Sequence, residues 1–291
     1  MLIFERWSST EQKGNKMVRQ ELKLPEIQRV TFEVLKEIAR ICDEQGLKYF
    51  LAFGTLLGAV RHKGVIPWDD DIDIIMPRSD FDKFLIYMRT EYRGKLVVCD
   101  REHTPNYPYG IPRVCNMQYQ YVSTNPQEPQ FDLGAFVDVY PLDRCSTDRE
   151  IAENLFKVTG KKNWLYSVYV GVGSPSAVKN AVKKMLRAML HLAKGRNYAQ
   201  RVDREIVEFI QRKTSEKDQG LAVLAWVTYH SVYDKSWYEK DCWLEFNGEK
   251  FRAPANYEAA LREDYGDFMA LPPLEKRQPH HEYKIYRRLD C

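Results

Sequence analysis

The chain has 291 residues, 44% hydrophobic and 29% charged. This is the composition of a soluble globular protein with room for one large domain or a core plus a second lobe, and it excludes a disordered chain. The net charge of +3 gives no push toward nucleic acid, although acid gathers at residues 69–73 and base at 179–204.

Six scattered cysteines (Cys42, Cys99, Cys115, Cys145, Cys242, Cys291) include no CxxC pair, so neither a zinc site nor a disulfide framework is expected. No apolar run reaches the ~18–20 residues that span a bilayer. The first apolar stretch stops at Glu5, which is too soon for a secretory signal, and a cytoplasmic protein is expected.

Residues 1–16 read as a flexible extension, with the ordered chain starting near Met17. Over 24–45, Ile27, Val30, Val34, Leu35, Ile38 and Ile41 recur at helical spacing, with Pro25 suited to the first turn and Gly46 to the stop. Residues 48–53 read as a buried strand. A short helix follows from Leu56 to His62 with Thr55 as its N-cap, and a second strand runs from Asp71 to Met76. Phe81, Phe84, Leu85 and Met88 form the apolar stripe of a helix over 79–92, capped by Ser79 or Asp80.

Val137–Tyr140 reads as a strand closed by Pro141, and residues 150–215 as predominantly helical. Asn247-Gly248 between apolar segments signals a type I′ hairpin, and a helix over 256–265 ends at Gly266. The expected organisation is the extension (1–16), an α/β core (17–145), a mainly helical region (146–236), and a C-terminal hairpin and helix (237–291) packing back on the core.

Four carboxylates crowd residues 69–73: Asp69, Asp70, Asp71 and Asp73. Strand alternation places Asp69, Asp71 and Asp73 on one face, with Ile72 and Ile74 toward the core. Like charges about 4 Å apart repel by about 4 kcal/mol per pair at an effective dielectric near 20, so such a cluster beside apolar residues calls for a cation. Oxygen ligands alone fit Mg2+ or Mn2+, with substrate phosphates completing the shell. An acidic run is also what a solvated turn or a helix cap carries.

Two neighbours favour the metal. Phe53-Gly54-Thr55 puts a glycine at a strand-to-helix junction, where backbone amides hold phosphate oxygens and a small residue lets them approach. Asp138, between Val137 and Val139, supplies a third carboxylate from another strand; alternatively it bonds the turn Pro141-Leu142-Asp143. Hydrophobic-Gly-small, then Asp-hydrophobic-Asp, then a lone Asp on a later strand is the plan of the nucleotidyltransferase fold.

The whole stretch from Tyr49 to Asp73, with Phe53-Gly54-Thr55-Leu56-Leu57-Gly58 and Pro67-Trp68-Asp69-Asp70-Asp71-Ile72-Asp73, resembles the signature of the LicD family, related to the fukutin proteins. The resemblance continues at Phe136–Asp143 and in Tyr265-Gly266-Asp267-Phe268-Met269 with Pro272-Pro273, and is weak across 145–235. It implies a nucleotidyltransferase-like α/β (α+β) mixed sheet with flanking helices and a mainly helical insertion. The activity it implies is metal-dependent transfer of phosphorylcholine from CDP-choline, or of a similar alcohol phosphate from a CDP-linked donor. The acceptor would be a hydroxyl of a glycan or lipid-linked glycan precursor, as of teichoic acid or lipopolysaccharide, and CMP would leave.

By this resemblance Asp71 and Asp73 hold Mg2+ or Mn2+ with Asp138, and Asp69 completes the catalytic set. Gly54 and Thr55 meet the diphosphate, and Arg61, His62, Lys63 and Arg113 supply positive charge. The family pattern often carries a second basic residue two positions after Arg113, where this chain has Cys115.

A choline headgroup has no hydrogen to donate and is bound best by aromatic faces. Trp68, Tyr109 and Trp243 are the candidates, with Tyr107, Trp237 and Tyr238 also in the matching regions. Adjacent His280 and His281 point apart and read as an exposed tail. Val178, Val182, Met185, Met189 and Ala193 stripe one helical face amid lysines and arginines, which fits a helix covering the core or one in peripheral contact with an anionic membrane. Two rival functions stay open: a nucleotidyltransferase placing an NMP on a small acceptor, which releases pyrophosphate, and a nucleotide-binding module without turnover.

Overall fold

The computed structural model describes residues 20–225, 230–279 and 281–288. The expected extension over 1–16, the start near Met17, and His280 and Cys291 lie outside the described residues.

The chain opens with α1 (Leu24–Glu44), where the Lys23 N–H donates to Glu26 Oε2 at 2.9 Å and Pro25 occupies the first turn. Its predicted stripe is buried from Ile27 to Ile41. A two-residue strand β1 (Phe50–Leu51) leads into α2 (Phe53–Arg61), then β2 (Asp73–Pro77) and α3 (Arg78–Thr90). Short strands β3 (Leu96–Cys99), β4 (Arg113–Asn116) and β5 (Tyr119–Ser123) precede the long β6 (Ala135–Cys145). Three helices follow: α4 (Arg149–Val170), α5 (Ala177–Lys194) and α6 (Ala199–Lys213). The chain closes with β7 (Gly220–Ala222), β8 (Tyr233–Asp234), the hairpin β9 (Asp241–Phe246) and β10 (Glu249–Pro254), α7 (Tyr257–Tyr265) and β11 (Tyr283–Arg287).

The fold is mixed α/β. Its main sheet runs β1-β2-β6-β4-β3, with β7 and β8 continuing from the far end of β6. Strands β2 and β6 are parallel, with Asp73 opposite Asp138, and the other pairings are antiparallel. One core lies between this sheet, α1, α3 and the β9–β10 hairpin, holding Leu35, Ile38, Ile74, Phe84 and Phe251. A second core gathers α4, α5 and α6 against Cys145 and Ala222. Asn247 (φ 50°) and Gly248 (φ 82°) make the predicted hairpin turn, and Asn256 caps α7, which stops at left-handed Gly266.

Four local expectations are corrected. The strand expected over 48–53 is only Phe50–Leu51, and α2 starts at Phe53, so Thr55 is inside the helix and not its cap. The second strand starts at Asp73, because Asp69 is bound in a turn by its N–H to Ile66 O. The next helix begins at Arg78 with Pro77 before it, and neither Ser79 nor Asp80 caps it. Strand β6 continues past Pro141 to Cys145. The side of Pro141 that lacks an N–H faces the gap between β4, which pairs residues 135–138, and β7, which pairs 143–145, so no ladder bond is lost.

Candidate active site

The site forms where β2 begins beside β6. Main-chain pairing alone sets Asp73 against Asp138. The first turn of α2 is tied to the same point: Asp73 N–H donates to Thr55 Oγ1 at 2.8 Å, and Ala52 N–H to Asp73 O at 3.1 Å. Phe53 takes a left-handed backbone (φ 44°), an uncommon conformation for a bulky residue, and turns Gly54 against the acidic loop. A Cβ on Gly54 would stand 2.6 Å from Asp69 Oδ2, so no other residue fits unless the carboxylate moves.

The loop over 66–72 is clamped from three sides. Gln28 of α1 donates to Asp69 O at 2.8 Å, Thr55 of α2 holds the following strand, and Tyr283 of β11 donates its hydroxyl to Asp70 O at 2.6 Å. The result is a dense group of acids. Carboxylate oxygens of Asp71, Asp73 and Asp138 lie within 4.8 Å of one another. Asp73 Oδ1 is buried with no hydrogen-bond partner among the described residues.

Burial, then the charges of Asp71, Asp138 and Asp69, hold the Asp73 carboxyl well above its usual range. Asp69 is pushed up to about 8 by burial and then by Asp71. Burial also raises Asp71, partly offset by His281. These residues fit a divalent cation: an oxygen-only donor set, uncompensated charge and an unpartnered buried oxygen are what such an ion would satisfy.

A cavity of about 680 Å³ opens over the acids, within the range of small-ligand sites. Gly54, Trp68, Asp69, Asp71 and Asp73 line it, with Arg61 at its wall. Arg61 Nη1 donates to Phe268 O at 3.1 Å and Ala270 O at 3.2 Å, which draws in the segment after α7. Tyr265 at the end of α7 and Asp267, Phe268 and Pro272 of that segment also line the cavity.

The remaining predicted residues divide. Asp138 lies beside Asp73 on β6 but lines the neighbouring cavity and not the large one, and Arg113 Nε donates to its Oδ1 at 2.6 Å. The Arg113 guanidinium is sandwiched between the rings of Tyr109 and Phe136, each 4.0 Å away. Arg113 and Tyr109 open onto a neighbouring cavity of about 350 Å³, which shares Tyr140 and His281 with the larger one. Thr55 is spent on the Asp73 N–H and does not line the large cavity. His62 packs edge-on to Trp68, and Lys63 gives its carbonyl to Asn247 N–H at 2.9 Å; neither lines the cavity. Trp243 is on β9 beneath Arg252, about half exposed, and lines neither cavity.

His281 is exposed, as expected, but it is not a loose tail residue. Strand β11 pairs with β5 and carries the segment before it to the acids, where His281 Nδ1 lies 2.7 Å from Asp70 Oδ1 and Nε2 lies 3.6 Å from Asp71 Oδ2. Burial lowers its basicity, but the bond to Asp70 and the charges of Asp71 and Asp70 outweigh this and raise its pKa to about 9. Sequence alone could have shown it only through the alternation Tyr283, Ile285, which marks a strand but not its partner.

Comparison with known proteins adds similarities to this geometry. Residues 46–167 match the family model described as LicD/FKTN/FKRP, nucleotidyltransferase domain. The lipopolysaccharide cholinephosphotransferase LicD of Haemophilus influenzae is 26% identical over 280 residues, covering 91% of this chain and 98% of that protein. Ribitol 5-phosphate transferase FKRP of Homo sapiens is 39% identical over 46 residues, 16% of this chain and 9% of that protein. An uncharacterized protein of Rickettsia prowazekii is 37% identical over 73 residues, 25% of this chain and 27% of its own.

Proposed function

We propose that the chain, whose residues 46–167 match a nucleotidyltransferase domain of the LicD type, transfers phosphorylcholine, or a similar alcohol phosphate, from a CDP-linked donor to a hydroxyl of a cell-surface glycan precursor, releasing CMP. The observation that carries this reading is the convergence of Asp71, Asp73 and Asp138 on one point under a cavity large enough for a nucleotide-linked donor. The activities named for the two transferases, on choline phosphate and ribitol 5-phosphate, support transfer of an alcohol phosphate.

Asp71, Asp73 and Asp138 would hold Mg2+ or Mn2+. When bound, such an ion neutralises phosphate charge on the attacking and leaving oxygens. The chain's own residues then divide the remaining work. The absent Cβ of Gly54 lets the donor phosphates approach the α2 turn. Asp69, outside the metal triplet and on the cavity wall, takes the proton of the acceptor hydroxyl. That oxygen bonds to the donor phosphorus bearing the alcohol, the P–O bond to CMP breaks, and CMP departs with the electron pair. Arg61 offers positive charge at the wall, Trp68 an aromatic face for a quaternary ammonium. Arg113 positions Asp138, and His281 positions Asp70 and Asp71.

A donor panel tests the reading. Purified protein with Mg2+ is given CDP-choline, CDP-ethanolamine, CDP-ribitol, CDP-glycerol or CTP, and the nucleotide product is identified. CMP from a CDP-alcohol is expected. Pyrophosphate from CTP alone would replace the proposal with NMP transfer, and no release from any donor with any divalent ion would leave a binding module.

A further inference from the structure

Helix α5 presents to solvent the face that a surface helix ordinarily buries. Val178, Val182, Met185, Met189 and Leu192 are 54–89% exposed, while Leu190 is its buried residue. Their spacing forms one straight stripe about 21 Å long at 1.5 Å per residue. The opposite side docks on the end of α4 through polar groups. Lys183 Nζ donates to Gly173 O at 2.6 Å, Arg187 Nε to Tyr169 O at 3.1 Å, and His191 Nε2 lies 3.1 Å from the same carbonyl. Lys183, Arg187 and His191, with Leu190 buried in the core of α4 to α6, fix the helix in this orientation and leave the apolar stripe turned outward.

Charge identifies the occupant of that stripe. The eighteen residues of α5 include no Asp or Glu, and Lys179 and Lys184 stand exposed at the two margins of the stripe. A second copy packed stripe to stripe would bring these lysines against each other, whereas a surface bearing phosphate would pair with them. We propose that α5 is a bilayer-docking helix, whose apolar stripe enters the headgroup–acyl boundary of a membrane containing acidic phospholipid while Lys179 and Lys184 meet lipid phosphates. No helix among the described residues is long and apolar enough to cross a membrane.

The test is co-sedimentation of the full chain with two vesicle types, phosphatidylcholine alone and phosphatidylcholine mixed with phosphatidylglycerol. Binding is expected to the mixed vesicles and to weaken as salt is raised. Lys179→Gln with Lys184→Gln should reduce it about fivefold per charge. Val182→Gln with Met185→Gln and Met189→Gln should abolish it; these side chains are exposed, so an unchanged melting temperature is expected. Equal binding to both vesicle types, binding to neither, or binding indifferent to both variants overturns the proposal. A lipid-free dimer in sedimentation velocity that the Gln triple variant dissolves would assign the stripe to a second copy instead.

Discussion

Arg113 and Asp138 form a buried ion pair whose other obligations are unequal. Asp138 also faces the acids of β2, whereas Arg113 has a buried Nη1 with no hydrogen-bond partner among the described residues. Removing one member of such a pair strands the other. Arg113→Met should lower metal-free stability by about 3–5 kcal/mol in urea unfolding, and adding Asp138→Asn should restore part of it. A neutral single variant would contradict a positioning role. The acids also set a pH dependence. Asp69, ordinarily at 3.8, is pushed up to about 8, so the folded metal-free chain binds its proton more tightly than the unfolded chain. The stability linked to that proton is lost as pH rises through this window. His281, ordinarily at 6.5 and raised to about 9, acts in the same direction: its stabilising charge is complete below the first value and lost through the second. In EDTA the melting temperature should fall as pH rises from about 5 to about 9. A melting temperature that climbs over that interval would show that the acids are not under mutual repulsion.

The junction of α2 with β2 is the element-scale device that delivers Asp73. Thr55→Val keeps the shape of the side chain but leaves the Asp73 N–H without its acceptor. It should cost about 1–3 kcal/mol in unfolding and reduce turnover with the fold intact by circular dichroism. Wild-type turnover in this variant would mean that the hydroxyl only fills space. Elements with local determinants are legible from residue order alone: the stripes of α1 and α3, the Asn247-Gly248 turn, and the stop of α7. Elements settled by distant partners are not. Thr55 reads as a helix cap until β2 claims its hydroxyl, and Pro141 reads as a strand terminator until the gap between β4 and β7 is seen. His281 reads as tail because the pairing of β11 with β5 joins segments far apart in the chain. Helix α5 shows its amphipathic pattern plainly, but the periodicity does not say which side meets the body.

Across the whole molecule, the parallel pairing of β2 with β6 places Asp73 beside Asp138, and the chain returns from α7 and β11 to enclose the site. The helices α4 to α6 build a separate core attached through β6 and β7, and Val223 and Tyr233 of the chain after α6 line the cavity over the acids. The Asp-rich loop and the lone Asp138 are readable as one carboxylate cluster able to hold a metal, because their residue types and strand contexts are local. The closing segments are not, since only the completed topology brings them near. Transfer by this chain, as proposed, requires one divalent ion held by Asp71, Asp73 and Asp138. Manganese binding followed by electron paramagnetic resonance, with CDP-choline present, tests this on wild type and on Asp73→Asn. Wild type should hold Mn2+ tightly, and the variant, folded and at least as heat-stable without metal, should lose that binding by at least about tenfold. Equal Mn2+ affinity in the two proteins would contradict the account.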